Sequence, residues 1–466
     1  MKRVAVVGGG VSGLTTAYRL RRLLGDACEI VVFEKTRTPG GKLRTVELAG
    51  VPYDVGAEAF LVRRPEMLAL AGELGLDVVH PTKARAKIHA GGGVTGLPPG
   101  TVMGVPASAE SVAGVLSAAG RRAVEAEPSL PELRLPSGDV PLGPLLRERF
   151  GDELVDRLVD PLLGGVYAGG ADGLGLRATM PGLASALAEG AGSLTAAAAA
   201  QLPASPSTAP VFGTVPGGLG TVIDRLAELS GADFRTGLPV CDIERNGAGW
   251  RLRIGAAPTA HAPADNTVDA DAVVLAVPAP SARRLLADLV PAASAAFGEV
   301  ELASMAVVAL ALPPGTWLPD VSGILIGQGE RDSAGKPYAA KAFTFSSRKW
   351  AHYGTGPVLV RGSVGRFGEP GALRADDVEL VRVVRDDLAR LAGVTAAPVE
   401  TLVTRWGGGL PQYGTGHLER VERIEKAVAE VPGLAIAGAT LHGVGLPACV
   451  ATAEAAAQRI AAHLTA

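Results

Sequence analysis

Val4-Ala5-Val6-Val7-Gly8-Gly9-Gly10-Val11-Ser12-Gly13 is an apolar run that breaks into glycines, and Leu14 to Leu24 then continues with helical spacing. A second apolar run, Ile30-Val31-Val32-Phe33, ends at Glu34, about 20 residues beyond Gly13. Strand, glycine turn, helix, strand and acid at this spacing predict a βαβ dinucleotide-binding unit. Gly8 permits the tight bend, Gly10 lets the backbone approach a pyrophosphate, and Gly13 allows close packing of helix on strand. The helix start at Val11 and Ser12 presents free N–H groups and a positive dipole end. Glu34 would accept hydrogen bonds from a ribose. A turn that merely joins strand to helix does not account for the acid.

The rest of the composition narrows the class. A chain of 466 residues exceeds what one core supports, so two or more domains are expected. It is 47% hydrophobic and 20% charged, a globular balance, and no apolar run reaches the ~18 residues of a membrane helix. The start, Met1 to Gly8, reads as a first strand of a cytoplasmic protein rather than a secretory signal. A net charge of -3 gives no global attraction to nucleic acid. Cys28, Cys241 and Cys449 lack CxxC spacing, and the 7 histidines are scattered, which speaks against disulfide, zinc and iron–sulfur sites.

Beyond Glu34 the chain enters loops and short strands through Pro39-Gly40-Gly41-Lys42 and Val51 to Glu58. Helical periodicity between about 121 and 181 predicts an insertion. The Ala/Gly/Ser/Pro-rich stretch 182–210 reads as a partly mobile surface segment with some helix. Strands are expected at 241–244, 250–254, 272–276, 305–312 and 358–360, and a helix at 378–391. A strand, a glycine turn from Gly438 to Leu446 and a helix close the chain, so strand, turn and helix occur at both ends.

NAD and FAD both satisfy the first fingerprint. Gly40-Gly41-Lys42-Leu43-Arg44 resembles the second glycine motif of the FAD-dependent amine oxidase superfamily, and Ala437-Gly438 to Pro447 resembles its closing flavin segment. Within that superfamily four stretches are similar to the bacterial HemY-type porphyrinogen oxidases: Asp54 to Leu61, Glu153 to Gly169, Thr344 to Trp350, and Trp406 through Tyr413 to His417. The sequence departs from the commoner pattern at His442 and at 437–440, which puts flavin tuning there in question.

The resemblance implies an α/β fold: a discontinuous Rossmann-like FAD-binding domain (1–95, 211–280, 405–466), a largely helical insertion (96–210) and a mixed-sheet α+β substrate domain (281–404). It implies FAD contacts at Gly8, Gly9, Gly10, Val11, Ser12, Gly13, Glu34, Lys35, Gly41, Lys42, Gly56, Ala57, Glu58, Ala59, Val240, Trp406, Gly438, Val444, Gly445 and Leu446. Arg63 and Arg64 would anchor substrate propionates, the alternative being a solvated pair. Trp406 and Tyr413 stand against a reading as ordinary core aromatics, and Arg348 and Lys349 read as solvated. His442 reads as satisfied by backbone groups. No acid or base is nominated, since the flavin itself carries the hydride. The implied reaction is the six-electron oxidation of coproporphyrinogen III to coproporphyrin III in haem synthesis, with O2 as acceptor and H2O2 as product. Protoporphyrinogen IX oxidation, amine oxidation and non-catalytic porphyrin carriage remain as rivals. The partners implied are the porphyrinogen, O2 and a transient contact with the next haem-pathway enzyme. The expected location is cytoplasmic, at most peripheral to a membrane, with no spanning segment and no metal.

Overall fold

The computed structural model describes residues 1–203, 209–255 and 266–466. Its first organising unit is a five-stranded, all-parallel sheet in the order Asp233–Thr236, Cys28–Glu34, Lys2–Val7, Ala272–Leu275, Leu434–Ile436. The strands are continuously apolar because both faces are covered. Val4, Val6, Ile30 and Val32 face the helices Val11–Leu24, Gly220–Ser230 and Leu446–Thr465. Ala5, Val7, Val31 and Phe33 face the antiparallel ribbon Val240–Asn246, Gly249–Ile254, Thr267–Ala270 and the helices Ala279–Leu285, Pro291–Gly298 and His417–Ala429. The ribbon turns at Gly247, whose φ of 60° suits glycine.

The second unit is a seven-stranded mixed sheet: Glu400–Pro411, Leu302–Leu312, Val358–Val364, Ala340–Thr344, Gly323–Ile326, Ala86–Ala90, Gly93–Gly96. All pairs are antiparallel except Gly323–Ile326 with Ala86–Ala90. Two of its strands therefore come from the N-terminal part of the chain. The amphipathic helix Asp377–Ala392, capped by Asp376 accepting from the Glu379 N–H at 2.8 Å, seals one face through Leu380, Val384 and Leu388. The other face meets residues 48–58 through Ala309, Ala311 and Leu359.

A helical layer sits beside this second face and contains the helices Leu142–Phe150, Asp160–Tyr167 and Pro181–Ala188. Here one expectation fails. Residues 182–201 are packed, not mobile: Leu183, Leu187, Leu194, Ala197 and Ala198 are buried in the helical core. The start of the helix Leu194–Gln201 is held by the buried Glu127, which accepts from the N–H groups of Leu194 (2.9 Å) and Thr195 (3.1 Å) and pairs with Arg149. That acid lies far upstream, so local composition gave no hint of it. Residues 204–208 of the same stretch lie outside the described residues.

Candidate cofactor and active site

The first glycine turn is built as its spacing requires. A Cβ at Gly8 would stand 2.3 Å from the Ala276 carbonyl oxygen, and one at Gly13 would stand 1.9 Å from the Gly8 oxygen. These two positions are closed by backbone. At Gly10, in contrast, a Cβ would meet nothing nearer than Gly41 Cα at 4.0 Å, so the space beside the turn is open. The Gly9 N–H donates to Glu34 Oε2 (2.9 Å), and the other Glu34 oxygen accepts from the N–H and hydroxyl of Thr36 (2.8 Å each). The Gly237 N–H donates to the Thr36 carbonyl (2.9 Å), just past the strand Asp233–Thr236 that pairs with Glu34. Lys35 is exposed next to it.

Two helices aim uncapped N-termini at this region. The helix Val11–Leu24 begins at Gly10 and Leu446–Thr465 begins at Gly445; neither has a side-chain cap or an acid in its first turn. A Cβ at Gly438 would lie 4.0 Å from Ser12 Oγ, so the closing turn abuts the first helix. Unsatisfied amides and two positive dipole ends around an open glycine cradle are what a pyrophosphate needs.

The second glycine motif joins the same cradle. The Gly40 N–H donates to the Gly9 carbonyl (2.7 Å), and the Ala57 N–H to the Lys42 carbonyl (2.9 Å). A Cβ at Gly56 would sit 2.0 Å from the Lys42 oxygen and 3.1 Å from the Trp406 ring. Trp406 donates its indole N–H to the Val55 carbonyl at 3.0 Å, so it is tied to the cradle wall rather than lost in a core. Burial holds the Lys42 ammonium below its ordinary range.

Behind Gly56 lies a buried charge cluster. Glu58 pairs with Lys349 and, at 3.4 Å, with Arg361, while the Arg361 guanidinium donates to the Gly56 carbonyl at 2.9 Å. Burial alone would raise the Glu58 carboxyl, yet the charges of Arg361 and Lys349 hold it at about 2. Four residues earlier the Asp54 carboxylate makes no ion pair among the described residues, and burial pushes it up to about 6 despite the Thr45 hydroxyl and Leu219 N–H it accepts from and the more distant charge of Arg361. Tyr53 shares a 2.9 Å hydrogen bond with Ser346. The expectation that Lys349 is solvated is therefore corrected: residues 346–361 come from the mixed sheet and clamp residues 53–58. Lys349, Arg361, Tyr53 and Ser346 had no visible role in the sequence, because each acquires its partner across about 300 residues of chain.

The closing turn is held from the other side. Tyr413 donates to the Ala439 carbonyl (2.6 Å) and stacks on His417 at 3.8 Å between ring centroids. His417 is bonded through Nε2 to the Leu441 carbonyl (2.9 Å), and burial lowers its pKa to about 4, so the ring is neutral at pH 7. Val444 packs toward the helical layer and Leu446 toward the parallel-sheet core, so the segment bridges both. His442 is satisfied by the Glu425 carboxylate at 2.7 Å, not by backbone.

The contacts above bring Gly8 to Gly13, Glu34, Gly41, Lys42, Gly56, Ala57, Trp406 and Gly438 together, whereas Glu58 turns into the charge cluster and Val240 packs in the core on the far face of the parallel sheet. Arg63 and Arg64 are exposed between the strand Phe60–Leu61 and the helix Pro65–Glu73, with Arg64 paired to Glu66 at 2.6 Å. Among the described residues no group of acids, histidines and cysteines could hold a metal ion, and no helix is long and apolar enough to cross a membrane.

A family model described as flavin containing amine oxidoreductase matches residues 11–461. The chain belongs to this family. Membership gives the chain a flavin cofactor, and the open Gly10 face and uncapped helix ends fit such a group. Relatives of this family member include a coproporphyrinogen III oxidase of Mycobacterium tuberculosis (strain ATCC 25618 / H37Rv), 44% identical over 453 residues that cover 96% of this chain and 95% of that one. The protein of the same name from Bacillus subtilis (strain 168) is 29% identical, with 98% and 97% covered. A crystal structure from Exiguobacterium sp. 255-15, provisionally described as a protoporphyrinogen oxidase, superposes with a TM-score of 0.85 at 30% identity over 99% of both chains. Cyclohexylamine oxidase from Brevibacterium oxydans IH-35A shares the fold (TM-score 0.72, 17% identity, 100% of both chains). The expected architecture, a flavin-binding parallel-sheet unit with a mixed-sheet unit, is the one found.

Proposed function

We propose that this protein is an FAD-dependent oxidase that converts coproporphyrinogen III to coproporphyrin III in haem synthesis. The observation that carries the reading is 44% identity, over 96% of the chain, to a protein named for that activity. FAD supplies the two-electron chemistry; removal of six electrons and six protons from the macrocycle then takes three cycles, and three O2 become three H2O2. The amides of Gly9 to Gly13 hold the pyrophosphate, and Glu34 holds the ribose once its internal hydrogen bonds are exchanged. Gly41, Lys42, Gly56 to Ala59, Trp406 and Val444 to Leu446 wall the remainder and keep bulk water out. The neutral His417 and Tyr413 fix the closing turn. No side chain is assigned as general acid or base.

In this reading segments 1–95, 211–280 and 405–466 carry the cofactor, with the strands at 86–96 and 400–411 lent to the substrate sheet; 281–404 forms the substrate face, and 96–210 covers it. Arg63 and Arg64 meet propionates at the rim. The protein works in the cytoplasm and hands its product to the next haem-pathway enzyme by transient contact.

The test is aerobic turnover of coproporphyrinogen III by the purified flavoprotein. Porphyrin fluorescence should appear with about three H2O2 per porphyrin, above the rate of air oxidation alone. Faster turnover of protoporphyrinogen IX would favour the second reading, which the Exiguobacterium structure supports. Porphyrin binding without turnover would make the protein a carrier.

A further inference from the structure

The mixed sheet holds a cationic pair that nothing above employs. The strand Ala340–Thr344 turns Ala340 and Phe343 into the core under the helix Asp377–Ala392, and its register against Val358–Val364 slips between Ala340 and Ala342. Lys341 is the residue at that slip, so its side chain leaves on the opposite face. It is 5% exposed. Among the described residues its ammonium makes no hydrogen bond or ion pair, yet it is not sealed from solvent.

Its charged neighbour is Arg366, which is also positive; burial first, and this like charge second, hold Lys341 at about 7. Arg366 donates to the Ile326 carbonyl at 2.9 Å, and burial lowers its own pKa. The acids nearest Arg366 are engaged elsewhere: Glu369 accepts from Gln328 (3.1 Å) and Asp160 from the Ala171 N–H (2.6 Å).

The helix Asp160–Tyr167 crosses this spot with Gly164 and Gly165, where a Cβ would stand 3.6 Å from Arg366 Nη1 and 3.9 Å from Leu325. At these two positions the helix places no side chain against Arg366 or Leu325. Arg361, opposite Thr344 in the register, leaves the sheet on the same side to reach the Gly56 carbonyl. Lys341 stands three residues along that strand, about 10 Å away, which is comparable to the reach of a tetrapyrrole from its centre to its carboxylates.

We propose that Lys341, with Arg366 beside it, receives a propionate carboxylate of the substrate deep in the site, and that this contact favours a tetracarboxylate porphyrinogen over a dicarboxylate one. A buried ammonium without an anion is costly, and a substrate carboxylate supplies the missing partner. The proposal rests on the porphyrinogen-oxidase reading and deepens it. Arg366 is committed in part to the Ile326 carbonyl, so Lys341 is the residue to vary.

The experiment compares wild type with Lys341→Met. Readouts are flavin content, kcat/KM for coproporphyrinogen III and protoporphyrinogen IX, and the Kd of coproporphyrin III by flavin-independent porphyrin fluorescence. The expected result is unchanged flavin and equal or higher melting temperature. Coproporphyrinogen kcat/KM and coproporphyrin affinity should fall about 10- to 100-fold, the worth of one charge-assisted hydrogen bond, and protoporphyrinogen should change much less. Equal losses on both substrates, or no loss in either readout, overturn the proposal. If Lys341→Met does not accumulate with flavin, Lys341→Gln carries the same comparison; failure of both makes Lys341 structural and also overturns it. A wild type inactive on every porphyrinogen defeats the functional reading instead, and the product-binding ratio still decides whether Lys341 binds a carboxylate.

Discussion

In the parallel sheet Val4, Ala5, Val6, Ile30, Val31 and Val32 are sealed on both faces, and the acid Glu34 waits at a strand end; in the mixed sheet Arg361 and Lys341 sit within the strands themselves. The first arrangement binds through backbone, with glycines that clear space and helix ends that supply amides. The second binds through buried side-chain charge and therefore needs partners from distant segments. In the proposed reading a cofactor shared by many enzymes is held by the first kind of surface, and what distinguishes one substrate from another belongs to the second.

The largest effect should come from the glycine turn. Gly10→Leu places its Cβ where nothing lies nearer than Gly41 Cα at 4.0 Å, so the fold should persist while the cradle fills. Gly13→Ala drives a methyl into the Gly8 carbonyl and should lose fold and flavin together. Acid-released flavin absorbance and calorimetry separate the two; full flavin in Gly10→Leu would remove the backbone-binding account. Flavin that stays with the acid precipitate would show a covalent link the cradle does not provide.

On the charged side, Glu58→Gln strands Arg361 and Lys349 without their anion and should cost about 3–5 kcal/mol by denaturant unfolding. The folded pKa of about 2 lies below the ordinary 4.5. The stability from Glu58 is thus complete above about pH 4.5 and is lost as pH falls toward 2. Wild type should weaken across that window more steeply than Glu58→Gln, which keeps only the share of the other depressed carboxyls such as Glu127 and Asp271. An equally steep acid limb in the variant would mean that Glu58 is not the group responsible.

Smaller changes are expected at the rim. Arg63→Ala or Arg64→Ala should raise KM for coproporphyrinogen III several-fold, less than the deep Lys341 change, with little effect on protoporphyrinogen IX and none on flavin. Equal effects on both substrates would show that these exposed arginines do not read the additional propionates.

The smallest effect belongs to His442. Its hydrogen bond to Glu425 raises its pKa, so the pair stabilises below the ordinary histidine value and fades as pH rises through the raised one. Half exposed, it should contribute less than about 1 kcal/mol. A larger loss in His442→Ala, or any shift of the flavin spectrum, would give it a part in the site.

How much could be read beforehand follows the same division. Gly8, Gly10, Gly13 and Glu34 announce themselves because their relations are local, within one βαβ unit. Gly41, Gly56 and Trp406 became legible only through resemblance, since nothing in their own neighbourhoods says that a Cβ at Gly56 would strike Lys42 and Trp406. Lys349 looked like an ordinary surface cation because Glu58 lies 291 positions away. The helix Leu194–Gln201 looked loose because its small side chains give little local sign of burial, while the acid that also holds its start, Glu127, lies far upstream. Lys341 carried no signal: its meaning comes from a register slip and from two glycines on a crossing helix.

The central claim, that the glycine cradle delivers porphyrinogen electrons to its flavin and prefers the tetracarboxylate substrate, is tested most directly by anaerobic stopped-flow absorbance of the purified yellow protein. Mixed with coproporphyrinogen III, the flavin band should bleach in a fast first-order phase, faster than with protoporphyrinogen IX at equal concentration, and return on admission of air. A flavin band that neither porphyrinogen bleaches would contradict the account.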